Sequence, residues 1–149
     1  TIVAYGPLVP VALAAAEAAV EDGRSIEVID LRSISPLDVP TVAASVAKTG
    51  RLIVAHEAPT FGGMGGELAA AITERCFYSL QAPVIRVGGY YMPYPISRVE
   101  EEYVPDIDRI HEADDRAFDY YAFPDLTYQR VALWRVASPH RIFRIGYMP

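Results

Sequence analysis

The residue types that could do chemistry gather in one short stretch. Residues 56–67 read HEAPTFGGMGGE: His56 and Glu57 side by side, then Gly62, Gly63, Gly65 and Gly66, then Glu67. A His-Glu pair suits general acid–base catalysis or half of a metal site. A glycine-rich link between strand and helix suits a phosphate that accepts from backbone N–H groups. The spacing argues against both. Neighbours on a strand project to opposite faces, so His56 and Glu57 cannot easily converge on one ion or proton. The glycines do not give G-x-G-x-x-G, and no Gly-Lys-Ser/Thr follows them. The favoured reading is a backbone device: φ > 0 turns and close approach at the end of a strand, with the His-Glu pair hydrogen-bonded to fix the corner. The place keeps functional weight, because α/β domains put function at the carboxyl ends of their strands.

Other candidates are fewer. Cys76 is the single cysteine; it falls in a helical pattern and reads as packing, with no disulfide framework and no multi-cysteine zinc site. His111 and His140 carry no partner signal, and three histidines without ligand spacing predict no metal site. From Arg98 to Asp119 nine acids stand against three arginines. Glu100, Glu101, Glu102, Asp106 and Asp108 open that segment. Two readings stand side by side: a solvated face, and a docking surface that steers a basic partner.

The elements that must position these residues follow from composition and period. A chain of 149 residues, 52% hydrophobic, suits one domain with a buried core. Its net charge of −6 argues against nucleic acid as the partner. No apolar run reaches the ~18 residues of a membrane span. The chain opens on a strand with no start methionine, and reads as a fragment cut at a domain boundary with the rest upstream. Ile2–Tyr5 is a strand, the alanine-rich run from Pro10 to Gly23 a helix, and Ser25–Leu31 a strand. Residues 39–49 form a helix ended by Gly50, and Arg51–Ala55 the third strand. Glu67–Leu80 is a helix with Leu68, Ala71, Ile72, Phe77 and Leu80 at helical spacing, and Pro83–Val87 the fourth strand. Residues 90–106 hold Pro93, Pro95 and Pro105 and read as extended or loop. Asp106–Tyr120 is the last helix, capped by Asp106 or Asp108. The alternation predicts a three-layer α/β/α sandwich around a mostly parallel sheet of about five strands.

With the elements placed, the order of motifs resembles a known family. VIDLRSISPLD (residues 28–38), KTGRLIVAHEA (48–58), GGMGGELAA (62–70), LQAPVIRV (80–87) and MPYP (92–95) are similar, in order and spacing, to the C-terminal domain of the β subunit of thiamine-diphosphate-dependent 2-oxo acid dehydrogenases. These are the first components of the pyruvate and branched-chain 2-oxo acid dehydrogenase complexes. The same domain type closes transketolase and deoxyxylulose-phosphate synthase. The resemblance covers residues 1–121. It implies a transketolase C-terminal-like domain with one antiparallel edge strand. It implies an intact protein that decarboxylates a 2-oxo acid on thiamine diphosphate and Mg²⁺ and passes the acyl group to lipoyl-lysine.

The family places the cofactor's diphosphate on the α subunit and the aminopyrimidine end on the upstream β domain. No catalytic residue is therefore expected here, and the fragment is expected to bind no cofactor. The resemblance puts His56, Glu57, Gly62, Gly63, Gly65 and Gly66 towards the active-site side. It implies three partners: a second β subunit, the α subunit and the small basic subunit-binding domain of the acyltransferase. The implied setting is the cytoplasm, or the mitochondrial matrix in a eukaryote. Two alternatives are a stand-alone interaction or anion-binding module, and a transketolase or synthase domain. Residues 122–149 depart from the family. They carry Arg130, Arg135, Arg141 and Arg144 among aromatics, and RVALWRV and RIFRI alternate like strands. An extension, vector residues or a shifted frame would each account for them.

Overall fold

The computed structural model describes residues 1–120. Strand and helix alternate: β1 (Ile2–Ala4), α1 (Leu8–Ala18), β2 (Val28–Asp30), α2 (Val39–Thr49), β3 (Ile53–Pro59), α3 (Met64–Cys76) and β4 (Ile85–Gly89). A 3₁₀ turn (Ser97–Val99), the single-turn α4 (Glu100–Tyr103) and α5 (Ile107–Phe118) follow. The sheet runs β2-β1-β3-β4 and every pair is parallel. The described sheet thus has four strands, and the antiparallel edge strand that the resemblance implies is not among them. RVALWRV and RIFRI lie outside the described residues.

The strand period of two builds the layers. On β1, Ile2 and Ala4 face one side and Val3 the other; on β3, Ile53 and Ala55 oppose Val54. The first set packs with Leu8, Ala12 and Ala15 of α1 and Ile110 and Ala113 of α5. The second packs with Val42 and Val46 of α2 and Leu68, Ile72 and Cys76 of α3. A sheet buried on both faces needs apolar residues at consecutive positions, which is why its strands read as continuous hydrophobic runs. Cys76 is buried in the second cluster, its Sγ 3.6 Å from the Ala43 carbonyl.

Local signals explain most element ends. Asp38 accepts from the Thr41 amide at 3.2 Å and caps α2, and Gly50 closes it at φ +72°. The strands are offset from expectation by up to four residues at their ends, and two helices differ most. The first helix starts at Leu8, with Pro10 inside its first turn where a missing N–H costs nothing, and it ends at Ala18, not Gly23. The third helix starts at Met64 and ends at Cys76, so Gly65 and Gly66 belong to its first turn. The sequence predicts a loop over the whole glycine run; half of it is helix.

Candidate functional site

The carboxyl ends of β3 and β4 carry His56, Glu57, the glycine corner and the loop that follows Gly89. His56 continues the Val54 side of β3 and is fully buried beneath the first turn of α3. Its Nδ1 lies 2.8 Å from the Ala58 carbonyl, which can only accept, so Nδ1 bears the proton. Nε2 is buried with no hydrogen-bond partner among the described residues. The ring stacks on Tyr5 at 5.8 Å between centroids and 23° between planes. Burial first of all, with the nearby Arg86 charge adding, lowers its pKa; the Ala58 bond opposes this.

The glycines fall into separate roles. Gly62 alone in the corner has positive φ, at +73°. Gly63 is extended and Gly65 helical, so the expected φ > 0 does not explain them. Contact does. A Cβ on Gly63 would stand 2.8 Å from Cε1 of His56, and one on Gly65 2.8 Å from Cδ2 and closer still to Nε2. From β4, a Cβ on Gly88 would lie 3.1 Å from Cε1 and 2.6 Å from the Ala58 oxygen. Three glycines therefore make room for one imidazole. A Cβ on Gly66 would meet only Arg86 Nη1 at 3.4 Å. This bears on the cofactor that the resemblance brings. The space that Gly63 and Gly65 leave is filled by His56, so these residues do not form a cradle for a diphosphate.

Glu57 points the other way, as the strand period requires, and has no part in a couple with His56. It lies with Tyr94, whose hydroxyl donates to the Glu100 carboxylate. The Glu100 bond chiefly, then burial and Glu57, raise the Tyr94 phenol above its ordinary range. Tyr103 is buried behind them, its ring against Gly89 and 5.0 Å from that of Tyr94. Arg109 donates to the Gly88 carbonyl and lies 4.8 Å over the Tyr90 ring. Around this core the surface is apolar: Phe61, Tyr91 and Ile96 are 74%, 78% and 73% exposed, and Met92 is half exposed. Phe61 and Tyr91 meet edge to face at 4.9 Å. Sequence reasoning reads this surface only as loop. The signal is there in the run YYMPYP, where prolines hold aromatics off any strand or helix.

The acidic segment does not act as one face. Asp106 caps α5 by accepting from the Arg109 amide at 2.9 Å. Asp114 is buried and, with Asp115, receives Arg24 at 2.8 and 2.6 Å. Glu100 is engaged by Tyr94. That leaves Glu101, Glu102, Asp108, Glu112 and Asp119 exposed without an ion pair among the described residues. Among those residues no three His, Cys, Asp or Glu side chains gather to hold a metal, and no helix is long and apolar enough to cross a membrane.

Comparison with known proteins fits this arrangement. The profile of the family described as "Transketolase, C-terminal domain" matches residues 1–110. The chain is 55% identical over 120 residues to the pyruvate dehydrogenase E1 component subunit beta of Leifsonia xyli subsp. xyli, covering 80% of this chain and 36% of that protein. It is 48% identical over 117 residues to the 3-methyl-2-oxobutanoate dehydrogenase subunit beta of Mycobacterium tuberculosis, covering 78% and 34%. A solved structure described as "Split gene transketolase, inactive beta4 tetramer" aligns with a TM-score of 0.63 at 28% identity, over 78% of this chain and 37% of that one. The chain spans about a third of the length of these relatives. With a parallel α/β/α layer order, the ordered motifs and a profile match over most of its described length, the chain belongs to the transketolase C-terminal domain family.

Proposed function

We propose that this chain is the C-terminal domain of a 2-oxo acid dehydrogenase β subunit and that its work is assembly. The observation that carries this reading is the exposed aromatic surface at the carboxyl ends of β3 and β4, where Phe61, Tyr91, Met92, Tyr94 and Ile96 project beside exposed acids. Exposed apolar side chains gathered near one end of a sheet are where another protein would sit. Relatives named as pyruvate and branched-chain dehydrogenase β subunits support the enzyme class. The intact protein would decarboxylate a 2-oxo acid on thiamine diphosphate with Mg²⁺ and hand the acyl group to lipoyl-lysine. Both cofactors would be held outside residues 1–120.

The partners are a second β subunit, the α subunit and the basic subunit-binding domain of the acyltransferase, in the cytoplasm or the mitochondrial matrix. The transketolase neighbour is a beta4 tetramer, a precedent for β chains associating with one another. Within this reading His56, Glu57 and Gly62, Gly63, Gly65 and Gly66 stand on the active-site side as scaffold, and Glu101, Glu102 and Asp108 form the docking rim.

A chimera tests it. Residues 1–120 replace the matching third of the Leifsonia xyli β subunit, which is then co-expressed with its α subunit. The chimera should co-purify with the α subunit and decarboxylate pyruvate. A folded chimera that fails to co-purify overturns the proposal.

A further inference from the structure

The imidazole of His56 is enclosed by backbone at positions where a side chain would collide with it. It lies under the β3–α3 corner with Gly63 and Gly65 above it, Gly88 of β4 beside it and Tyr5 stacked on it. One ring nitrogen is bonded to Ala58 and the other faces Gly65 with no partner. Of the described groups around it only the Ala58 carbonyl and the face of Tyr5 favour a positive charge, and burial outweighs them. The first turn of α3 brings glycine backbone against the ring, β4 brings Gly88 and the cation Arg86, and Tyr5 is a neutral phenol whose own pKa burial raises. A second proton on the ring would create a buried N–H donor with no acceptor and a charge beside another charge. Both are costly in a closed site and cost little in water.

We propose that the β3–α3 corner, residues 59–66, is an acid-released latch, with the ring of His56 as the catch that three glycines hold in place. In the closed state neutral His56 wedges between β4 and the first turn of α3. Protonation at Nε2 favours a state in which the corner lifts and the ring is hydrated. The corner carries Phe61, whose ring meets Tyr91 of the next loop. Lifting it parts that aromatic pair, so acid would remodel the apolar surface at this end of the sheet. The lowered pKa of His56 agrees with this and sets the sign. The closed form prefers the neutral ring, so its advantage over the open one is complete above the ordinary value of 6.5 and shrinks as pH falls below it.

Amide hydrogen exchange on the 149-residue chain tests the latch, with opening constants corrected for intrinsic chemistry at pH 7, 6 and 5. Amides of residues 60–66 should open about tenfold more for each pH unit below 6.5, until the pKa of the closed state is reached. Amides of Val54 and Ile72, which open only with the whole domain, should stay far better protected than these at every pH. His56→Asn keeps a donor for Ala58 but cannot take up a proton, and it should abolish the pH response. Opening constants for residues 60–66 that ignore pH, or that respond equally in the His56→Asn protein, overturn the proposal. If that variant does not fold, the nitrogen resonances of His56 in the parent chain decide. A ring whose proton uptake below 6.5 tracks the opening of residues 60–66 supports the latch, and ordinary titration near 6.5 overturns it.

Discussion

Gly65 lacks a side chain because the imidazole of His56 occupies the place of one. Nε2 and Cδ2 of that ring stand where a Cβ would need to be, and Val54 Cγ1 closes the remaining side at 3.4 Å. Gly65→Ala should therefore cost about 1–3 kcal/mol by overpacking a filled core. Gly66→Ala, in the same turn, meets only the movable end of Arg86 and should fall within about 0.5 kcal/mol of the parent. Gly62→Ala should cost about 1 kcal/mol for a different reason, a left-handed backbone at φ +73° in open space. Urea melts of the three variants check the order. Equal losses at Gly65 and Gly66 would mean that the ring does not lie beneath this turn.

The same ring gives the domain a pH slope. Burial, the largest cause, depresses the His56 pKa in the folded state, so the unfolded chain binds the extra proton first as pH falls. The contribution is intact above 6.5. It falls by up to about 1.4 kcal/mol per pH unit below that value, until the folded pKa is reached. Denaturant midpoints between pH 7.5 and 5 should show this slope, and His56→Asn should flatten it relative to the parent.

The layers of the fold were legible because they rest on local rules. Consecutive apolar residues in Ile2–Ala4 and Ile53–Ala55 require burial on both faces, and Gly50 and Asp38 mark the ends of α2 without reference to anything distant. The divergence of His56 and Glu57 followed from the strand period alone. What could not be read are pairings made across the fold. Asp114 looks like its neighbours in an acidic run, yet it meets Arg24, 90 residues away, and is buried by it. Asp106, by contrast, is marked as a candidate cap by its place before the last helix, and it is one. The glycines read as turns because nothing in the local sequence reports that an imidazole lies beneath them.

The Arg24 contact is itself testable. Arg24 reaches Asp114 and Asp115, and its guanidinium lies 4.7 Å over the ring of Phe118, with that of Arg51 at 4.6 Å. Arg24→Ala leaves Asp114 buried and uncompensated, which should cost about 3 kcal/mol. Arg24→Met combined with Asp114→Leu removes both charges and should recover most of that loss. Thermal melts compare the two. If the double variant is no better than the single one, the aromatic stacking, not the ion pair, holds α5.

The aromatic surface should drive self-association of the isolated chain. Phe61, Tyr91 and Ile96 are each about three-quarters exposed, and burying such rings on a like surface is favourable. Sedimentation across a concentration range should show at least a weak dimer. Phe61→Ser with Tyr91→Ser should shift the chain to monomer, and no shift would place the association elsewhere.

Docking of a basic subunit-binding domain should depend on some acids and not on others. Glu101, Glu102 and Asp108 are exposed and free of ion pairs among the described residues, so their field reaches solvent. Glu100 is held by Tyr94, and Asp106 is committed to the amide of Arg109. Rim charges mainly steer encounter. Neutralising Glu101, Glu102 and Asp108 to their amides should therefore slow association and leave dissociation nearly unchanged. Added salt should mimic the substitution, because the Debye length shrinks from ~10 Å at 0.1 M to ~3 Å at 1 M. Asp106→Asn should act differently: it alters a helix cap and should lower stability slightly while sparing the association rate. Surface plasmon resonance with an immobilised subunit-binding domain measures both rate constants for each variant. Association that is indifferent to salt and to the triple substitution would leave these acids as a solvated face.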